Sequence, residues 1–183
     1  MPIQGCIPFN PSSYVTALNG LVLGQEYFDP STGFTYRLAQ MHTILTNDIT
    51  ANKEVLCETA TKNVVTQKTT SAGNTTYPKA YGIACGAVPE STSSTTYYAL
   101  LLMKGEKLVL TDGGGDIGIE DYVCYDAGTD TGRVDVMTGT ATNIDEDIGT
   151  TTLDLGDLWS TYVGQALAND SATEVLVSVN IRR

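Results

Sequence analysis

The chain has 183 residues, of which 42% are apolar and 8% aromatic, and its formal net charge is -11. This length suffices for one domain with a substantial core, or for a smaller core with an arm. Acids and bases nearly balance in residues 1–100, whereas residues 101–183 contain fifteen acids and five bases. Such acidity argues against a nucleic-acid backbone or an anionic membrane as the main partner. It suits a basic or mixed partner surface.

The sequence also lacks the common membrane and export signals. No apolar stretch approaches the roughly 18 residues of a spanning helix. Residues 1–6 lack the basic and apolar regions of a signal peptide, so we expect synthesis in a cytosol. The four cysteines, at positions 6, 57, 85 and 124, form no CxxC pair. In a reducing compartment they are predicted to be buried apolar side chains rather than disulfides or metal ligands.

The first segment, residues 1–20, is rich in proline. Pro2, Pro8 and Pro11 exclude a helix and disfavour a central strand. The sequence therefore predicts an extended, non-regular N-terminal arm, followed by a single domain at 21–183. Apolar side chains on such an arm either cover the body of the same subunit or dock on another chain, and both alternatives stay open. The candidate capsid or subunit contact residues are Ile3, Ile7, Phe9 and Tyr14.

The clearest hairpin of the first half spans residues 21–40. Its turn at 29–33 reads Asp-Pro-Ser-Thr-Gly, in which Pro30 presets φ and Gly33 can adopt a positive φ. Aromatic and apolar residues lead into the turn and alternate after it. The pattern predicts two antiparallel strands.

Short extended runs follow at roughly ten-residue spacing, with turn signals between them. The predicted strands are 54–58, 63–68, 80–88, 96–103, 107–111, 122–125 and 133–137. The run at 96–103 is the most apolar and predicts a buried strand. Lys104-Gly105-Glu106 is interpreted as the turn that joins it to 107–111.

The end of the chain shows the strictest alternation. Val175, Val177, Val179 and Ile181 lie on one side of an extended chain, and Leu176 is the only apolar break on the other side. A second run at 162–167, joined by the turn residues 169–171, completes a closing β-hairpin. Together these elements predict an all-β fold, an antiparallel β-barrel or β-sandwich.

Few residues suggest chemistry. The acidic clusters at 112–116 and 143–149 are the best metal-like candidates, but the second has Ile148 where a calcium loop needs glycine and Asp154 where it needs glutamate. The single histidine, His42, has no visible partners for a triad or a zinc site. We therefore predict no catalytic residues, no metal and no cofactor, and a protein that is not an enzyme.

The order of these motifs resembles the head decoration, or capsid cement, proteins of tailed bacteriophages. The resemblance covers roughly residues 20–183 and rests on degenerate turn and strand motifs; residues 1–20 and 138–158 depart from it. The matching parts are the hairpin 24–33 with Tyr36-Arg37, the strand Tyr81-Gly82-Ile83-Ala84, the 98–107 pair joined at Lys104-Gly105, Ile119-Glu120-Asp121-Tyr122-Val123, and Val163–Leu167 with the terminal strand.

The resemblance implies a virion structural protein that binds the outside of the assembled capsid and stabilises it. The implied partners are the major capsid protein and further copies of the chain, commonly as a homotrimer, with a dimer possible. Neither nucleic acid nor membrane is implied as a partner. The implied location is the capsid exterior, after synthesis in the host cytoplasm. On this hypothesis the apolar arm reaches along the shell or a neighbouring subunit, while the acidic half faces solvent.

Other functional classes remain as alternatives. A phage tail or fibre adhesin, or another β-rich glycan-binding module, would need an exposed aromatic platform, for which Trp159 with Tyr162 is the candidate. A protease or glycosidase is disfavoured because no nucleophile with its base is visible.

Overall fold

The fold is described from a computed structural model. The structure describes residues 3–4, 7–43, 49, 53–67, 79–111, 117–125, 132–137, 162–171 and 173–181. These ranges contain no helix with the length and apolar character needed to cross a lipid bilayer. Their strands are β1 Ile3–Gln4, β2 Tyr14–Val15, β3 Glu26–Asp29, β4 Phe34–Met41, β5 Val55–Glu58, β6 Val64–Thr66, β7 Lys79–Ala84, β8 Tyr98–Leu110, β9 Tyr122–Tyr125, β10 Val134–Val136, β11 Tyr162–Ala166 and β12 Glu174–Asn180.

Five strands close into a barrel, which confirms the all-β prediction and selects the barrel over the sandwich. The ring runs β4-β6-β5-β7-β8 and closes where β8 pairs with β4. Four of the pairings are antiparallel, and β4–β6 is parallel. Closure leaves these strands without a free edge for uncontrolled pairing.

The barrel interior is filled by side chains from all five strands. Tyr81 is the largest of them, and its hydroxyl lies 3.1 Å from the carbonyl oxygen of Leu38 and 3.2 Å from Oδ1 of Asn63. This contact supplies the hydrogen bond that a buried phenol needs. The interior cluster consists of Ala39, Met41, Ile49, Leu56, Val65, Tyr81, Ala84, Val88, Ala99 and Leu101.

Strand β8 continues beyond the barrel, and the predicted turn at 104–106 is wrong. Gly105 has a φ of 144° but stays within the extended strand. A β-carbon there would lie 2.5 Å from Cδ1 of Phe34, so the glycine makes room for that ring. The register between β4 and β8 shifts beside it, between Thr35 and Tyr36. A glycine between charged residues, typical of a turn, here lets one strand pass from the barrel into a second sheet.

The second sheet has the order β8-β12-β11-β9-β10. Its far strand returns to the end of β8 through a parallel bridge between Val134 and Thr111. The predicted terminal hairpin is confirmed, because β11 and β12 pair antiparallel and β12 alternates between buried and half-buried residues. The larger core lies between the outer face of the barrel and the inner face of this sheet, where residues such as Leu38, Leu100 and Val177 meet.

The predicted hairpin of residues 21–40 is also confirmed, as β3 and β4. Its turn is held by Asp29, whose carboxylate accepts hydrogen bonds from Ser31 N, Ser31 Oγ and Thr32 Oγ1 at 2.7–2.9 Å. The bonds from Ser31 and then Thr32 hold the pKa of this carboxyl below its usual range. Gly33 adopts the expected positive φ, 74°.

Candidate interaction surfaces

The N-terminal arm lies against the domain of its own chain. The backbone of Ile3 pairs with Tyr27 of β3, and β2 pairs with the start of β8, where Tyr14 faces Ala99. Ile7 and Phe9 are half-buried on the larger core. Tyr14 remains 41% exposed. The structure thus brings two of the four sequence-predicted contact residues to the core and leaves Tyr14 at the surface; their role in capsid or subunit contact stays a prediction.

The arm is seated in a slot shaped by a glycine. Asn10 forms a turn in which its Oδ1 accepts from Ser12 N at 2.9 Å and its carbonyl accepts from Ser13 N at 2.9 Å. A β-carbon at Gly86 would overlap the carbonyl oxygen of Ser12. We call the surface formed by Gly86 and residues 97–99 the arm slot. The backbones lie so close here that only glycine fits at position 86.

A tight turn connects the arm to the barrel. Asn19 and Gly20 have φ values of 46° and 88°, and Leu21 N donates to the carbonyl of Leu18 at 2.8 Å. These features define a type I′ turn, for which Asn-Gly is the preferred sequence. Both residues are exposed, and a β-carbon at Gly20 would meet nothing within 4 Å. The residues that flank the turn, Leu18 and Leu21, are half-buried against the larger core.

Two further features occupy the barrel end near this turn. A cavity of about 370 Å³ is lined by residues 22–26. Beside it, the guanidinium of Arg37 pairs with Glu26 and lies 5.2 Å from the centre of the Tyr81 ring. Nη1 of Arg37 is buried without a hydrogen-bond partner among the described residues. The pairing neutralises the cation in the barrel mouth.

The outer face of the second sheet carries exposed apolar residues that the sequence reasoning did not bring together. Leu176 of β12 pairs with Leu108 of β8, and Leu167 N donates to the carbonyl of Leu176 at 2.8 Å. Leu108 and Leu167 are 43% and 38% exposed. We call Leu108, Leu176 and Leu167 the outer apolar row. The sequence indicated this row only through Leu176, the apolar break in a polar face. Which residues lie beside Leu176 depends on strand register, which the sequence pattern does not give.

An aromatic pair extends this face. The rings of Tyr122 and Tyr162 lie 6.1 Å apart between centroids and are inclined by 58°. Tyr122 is 53% exposed, and nearby Ile119 is 62% exposed. Trp159, half of the aromatic platform expected from the sequence, lies outside the described residues. The sequence analysis did not identify Tyr122 as a neighbour of Tyr162. The two rings come together because β9 pairs with β11, with Cys124 opposite Tyr162.

Acidic side chains surround these apolar residues. Glu106 and Glu120 are exposed, and Asp121 and Asp135 are half-buried. Glu174 pairs with Lys53 at 2.6 Å. The face therefore combines an apolar centre with a mostly negative rim.

Buried polar groups elsewhere serve packing. Gln67 Nε2 donates to the buried carboxylate of Glu54, and the Tyr125 hydroxyl donates to the carbonyl of Gln67. Burial raises the pKa of the Cys57 thiol to about 12, so it is unreactive at neutral pH. Within the part of the chain that the structure describes, no three His, Cys, Asp or Glu residues are grouped as a metal site. The acidic clusters at 112–116 and 143–149 lie outside it.

No protein-family model, curated protein or solved structure matches this chain significantly. The resemblance to phage decoration proteins stays a prediction.

Proposed function

We propose that the protein is a capsid decoration protein, which binds the outside of an assembled bacteriophage head and stabilises it without catalysis. The observation that carries this function is the outer apolar row with its acidic rim, presented on the outer face of the second sheet. In this arrangement the row and the aromatic pair contact the major capsid protein. The orientation differs from the sequence-based hypothesis, which turned the acidic half toward solvent.

The thermodynamic basis is mass action. A protein that binds the assembled lattice but not its free subunits stabilises the lattice, and the stabilisation rises with the logarithm of its free concentration relative to its dissociation constant. A cyclic oligomer, such as the trimer implied by the resemblance, sits on a symmetry axis and gains avidity from several identical contacts. A face of modest area is then sufficient, since each copy contributes only part of the total binding free energy.

The direct test is co-sedimentation of the purified protein with heads assembled without it. We expect binding that saturates at a fixed ratio to the major capsid protein, and decorated heads that resist heating better than bare ones. Because part of the rim is ionic, affinity should fall as salt is raised. Absence of saturable binding to heads at low salt would contradict the function.

A second candidate function is supported by the aromatic pair. Tyrosine rings at a surface stack on sugar rings, so the exposed Tyr122 and the half-buried Tyr162 are compatible with a tail or fibre adhesin that binds host glycans. The inclination of 58° gives one stacking face rather than a flat platform. Retention on host cells that Tyr122→Ala abolishes, with no binding to heads, would favour this candidate.

A further inference from the structure

We infer that Ile119 anchors the capsid contact, as an exposed apolar side chain on a braced turn that enters an apolar pocket of the major capsid protein rimmed by Lys or Arg side chains. The inference rests on the proposed function, and it specifies one residue of that contact and the chemistry of the surface that receives it. We call residues 117–121 the anchor turn.

The anchor turn lies at one end of the outer apolar row. Glu120 N donates to the carbonyl of Ala166 at 2.9 Å, and Ile119 N donates to Oδ1 of Asn169 at 2.9 Å. These two acceptors belong to residues on either side of Leu167 in the chain. The anchor turn therefore borders the Leu167 end of the row, and the exposed Ile119 extends the apolar surface there.

The anchor turn is fixed to the body of the protein. At its root, Ile117 is 2% exposed and belongs to the larger core, and its carbonyl accepts from Asp170 N at 3.0 Å. Within the turn, Oδ2 of Asp121 accepts from Gly118 N at 2.7 Å. These bonds hold the turn in one conformation before a partner binds, so its backbone adds little to the entropic cost of binding.

The tip of the turn is held in a costly conformation. Glu120 has a φ of 72°, in the left-handed region that residues other than glycine rarely adopt, and its carbonyl accepts from Nε2 of Gln165 at 2.9 Å. Exposure alone does not single out the neighbouring Ile119, because Val22 is equally exposed at 62%. Ile119 differs in its place beside the row and on a braced, strained turn, and strain of this kind is common where a protein binds a partner.

The charges around Ile119 determine the chemistry of the pocket. Glu120 is exposed and Asp121 half-buried, and residues 101–183 contain fifteen acids and five bases. A rim of Lys or Arg side chains complements these carboxylates, whereas an acidic rim would repel them. The pocket therefore combines an apolar floor, which buries Ile119, with a basic rim.

Co-sedimentation with heads assembled without the protein tests the anchor. Ile119→Ser should lower the affinity at least about tenfold, because it removes an apolar side chain that the pocket buries. The matched control is Val22→Ser, since Val22 is equally exposed but belongs to no strand of the second sheet, and it should bind like the parent protein. If the parent protein binds and both variants bind equally well, the anchor is wrong and the proposed function stands. If the parent protein does not bind heads, both are wrong.

The bracing of the turn has its own variant. Asn169→Ala keeps the Ile119 side chain but removes the acceptor of its N–H, and should weaken binding severalfold. Thr92→Ala is the matched control, since Oγ1 of Thr92 accepts from Thr95 N at 3.0 Å in an exposed turn outside the second sheet. An affinity that Asn169→Ala leaves unchanged would show that binding does not require a rigid anchor turn.

Photocrosslinking identifies what receives the anchor and does not depend on the serine variant. Heads decorated with protein carrying Ile119→p-benzoylphenylalanine are irradiated and digested. We expect mass spectrometry to find position 119 joined to a segment of the major capsid protein that contains both apolar and Lys or Arg residues, and no such product from Val22→p-benzoylphenylalanine. Crosslinks only to another copy of the chain, or to a capsid segment without basic residues, would contradict the inferred pocket.

Discussion

The barrel and the second sheet share strand β8 but differ in how they treat its side chains. In the barrel, β8 is buried by neighbours on both edges and by the interior cluster, as at Leu101. In the second sheet the same strand exposes one face, as at Leu108. The part of β8 in the closed barrel buries its apolar side chains, which stabilises the fold. The part in the second sheet has one uncovered face, which leaves apolar side chains exposed to solvent or to a partner. Buried leucines such as Leu101 therefore contribute mainly to stability, and we propose that exposed residues such as Leu108 contribute to recognition.

The largest expected effect comes from the barrel interior. Leu101→Ala removes a fully buried side chain and should lower the free energy of unfolding by about 2–5 kcal/mol. Urea denaturation followed by circular dichroism measures it. A loss below about 1 kcal/mol would mean that the interior is loosely packed, contrary to the cluster seen there.

A smaller loss is expected where the two regions join. Gly105→Ala forces an alanine into a φ of 144° and against the Phe34 ring, and should cost about 1–3 kcal/mol. Gly33→Ala is the matched control, since it has positive φ but no neighbour within 4 Å, and should cost about 1 kcal/mol. Equal losses at both positions would show that contact with the Phe34 ring does not explain the glycine at position 105.

Alkaline pH should weaken the core between the regions. Burial raises the pKa of Cys57 from 9.0 and of Tyr36 from 10.0, each to about 12. The unfolded chain therefore loses these protons first, so stability is fully present below about pH 9 and is lost as pH rises toward about 12. Urea unfolding measured across this range checks the slope, which Cys57→Ala should flatten. A stability independent of pH above about 9 would contradict the burial of both groups.

The smallest effect on stability is expected on the outer face. Leu108→Ala should change the free energy of unfolding by no more than about 0.5 kcal/mol, because the side chain is already 43% exposed. Leu101 lies on the same strand, so the difference between the two unfolding free energies shows how much less the outer face contributes to stability than the barrel interior. A loss as large as that of the buried leucine would show that Leu108 belongs to the core.

Sequence patterns that involve only neighbouring residues correctly predicted individual strands and turns. The alternation after Glu174 and the turn at 29–33 each depend on neighbours in sequence, and both predictions are confirmed. The continuity of β8 was missed because the room that Gly105 gives to Phe34 involves a distant residue. The parallel β4–β6 pairing that closes the ring is likewise non-local.

The candidate surfaces show the same limit. The sequence marked Ile7, Phe9 and Tyr14 as apolar residues of an arm, but could not say that Gly86 lies under Ser12. It marked Leu176 as a break in a polar face, without showing that Leu108 lies beside it. Surfaces built across strands depend on register, which single-strand periodicity does not determine.

The measurement that tests the account most directly is the affinity of a Leu108→Ser, Leu176→Ser double variant for heads assembled without the protein, measured by co-sedimentation. The control is Val22→Ser, which removes an apolar side chain that is 62% exposed and belongs to no strand of the second sheet. We predict at least about a tenfold loss for the double variant, since each buried leucine contributes roughly 1–2 kcal/mol to a contact, and an unchanged affinity for the control. A double variant that stays folded and binds heads as tightly as the parent protein would contradict the assignment of recognition to the second sheet.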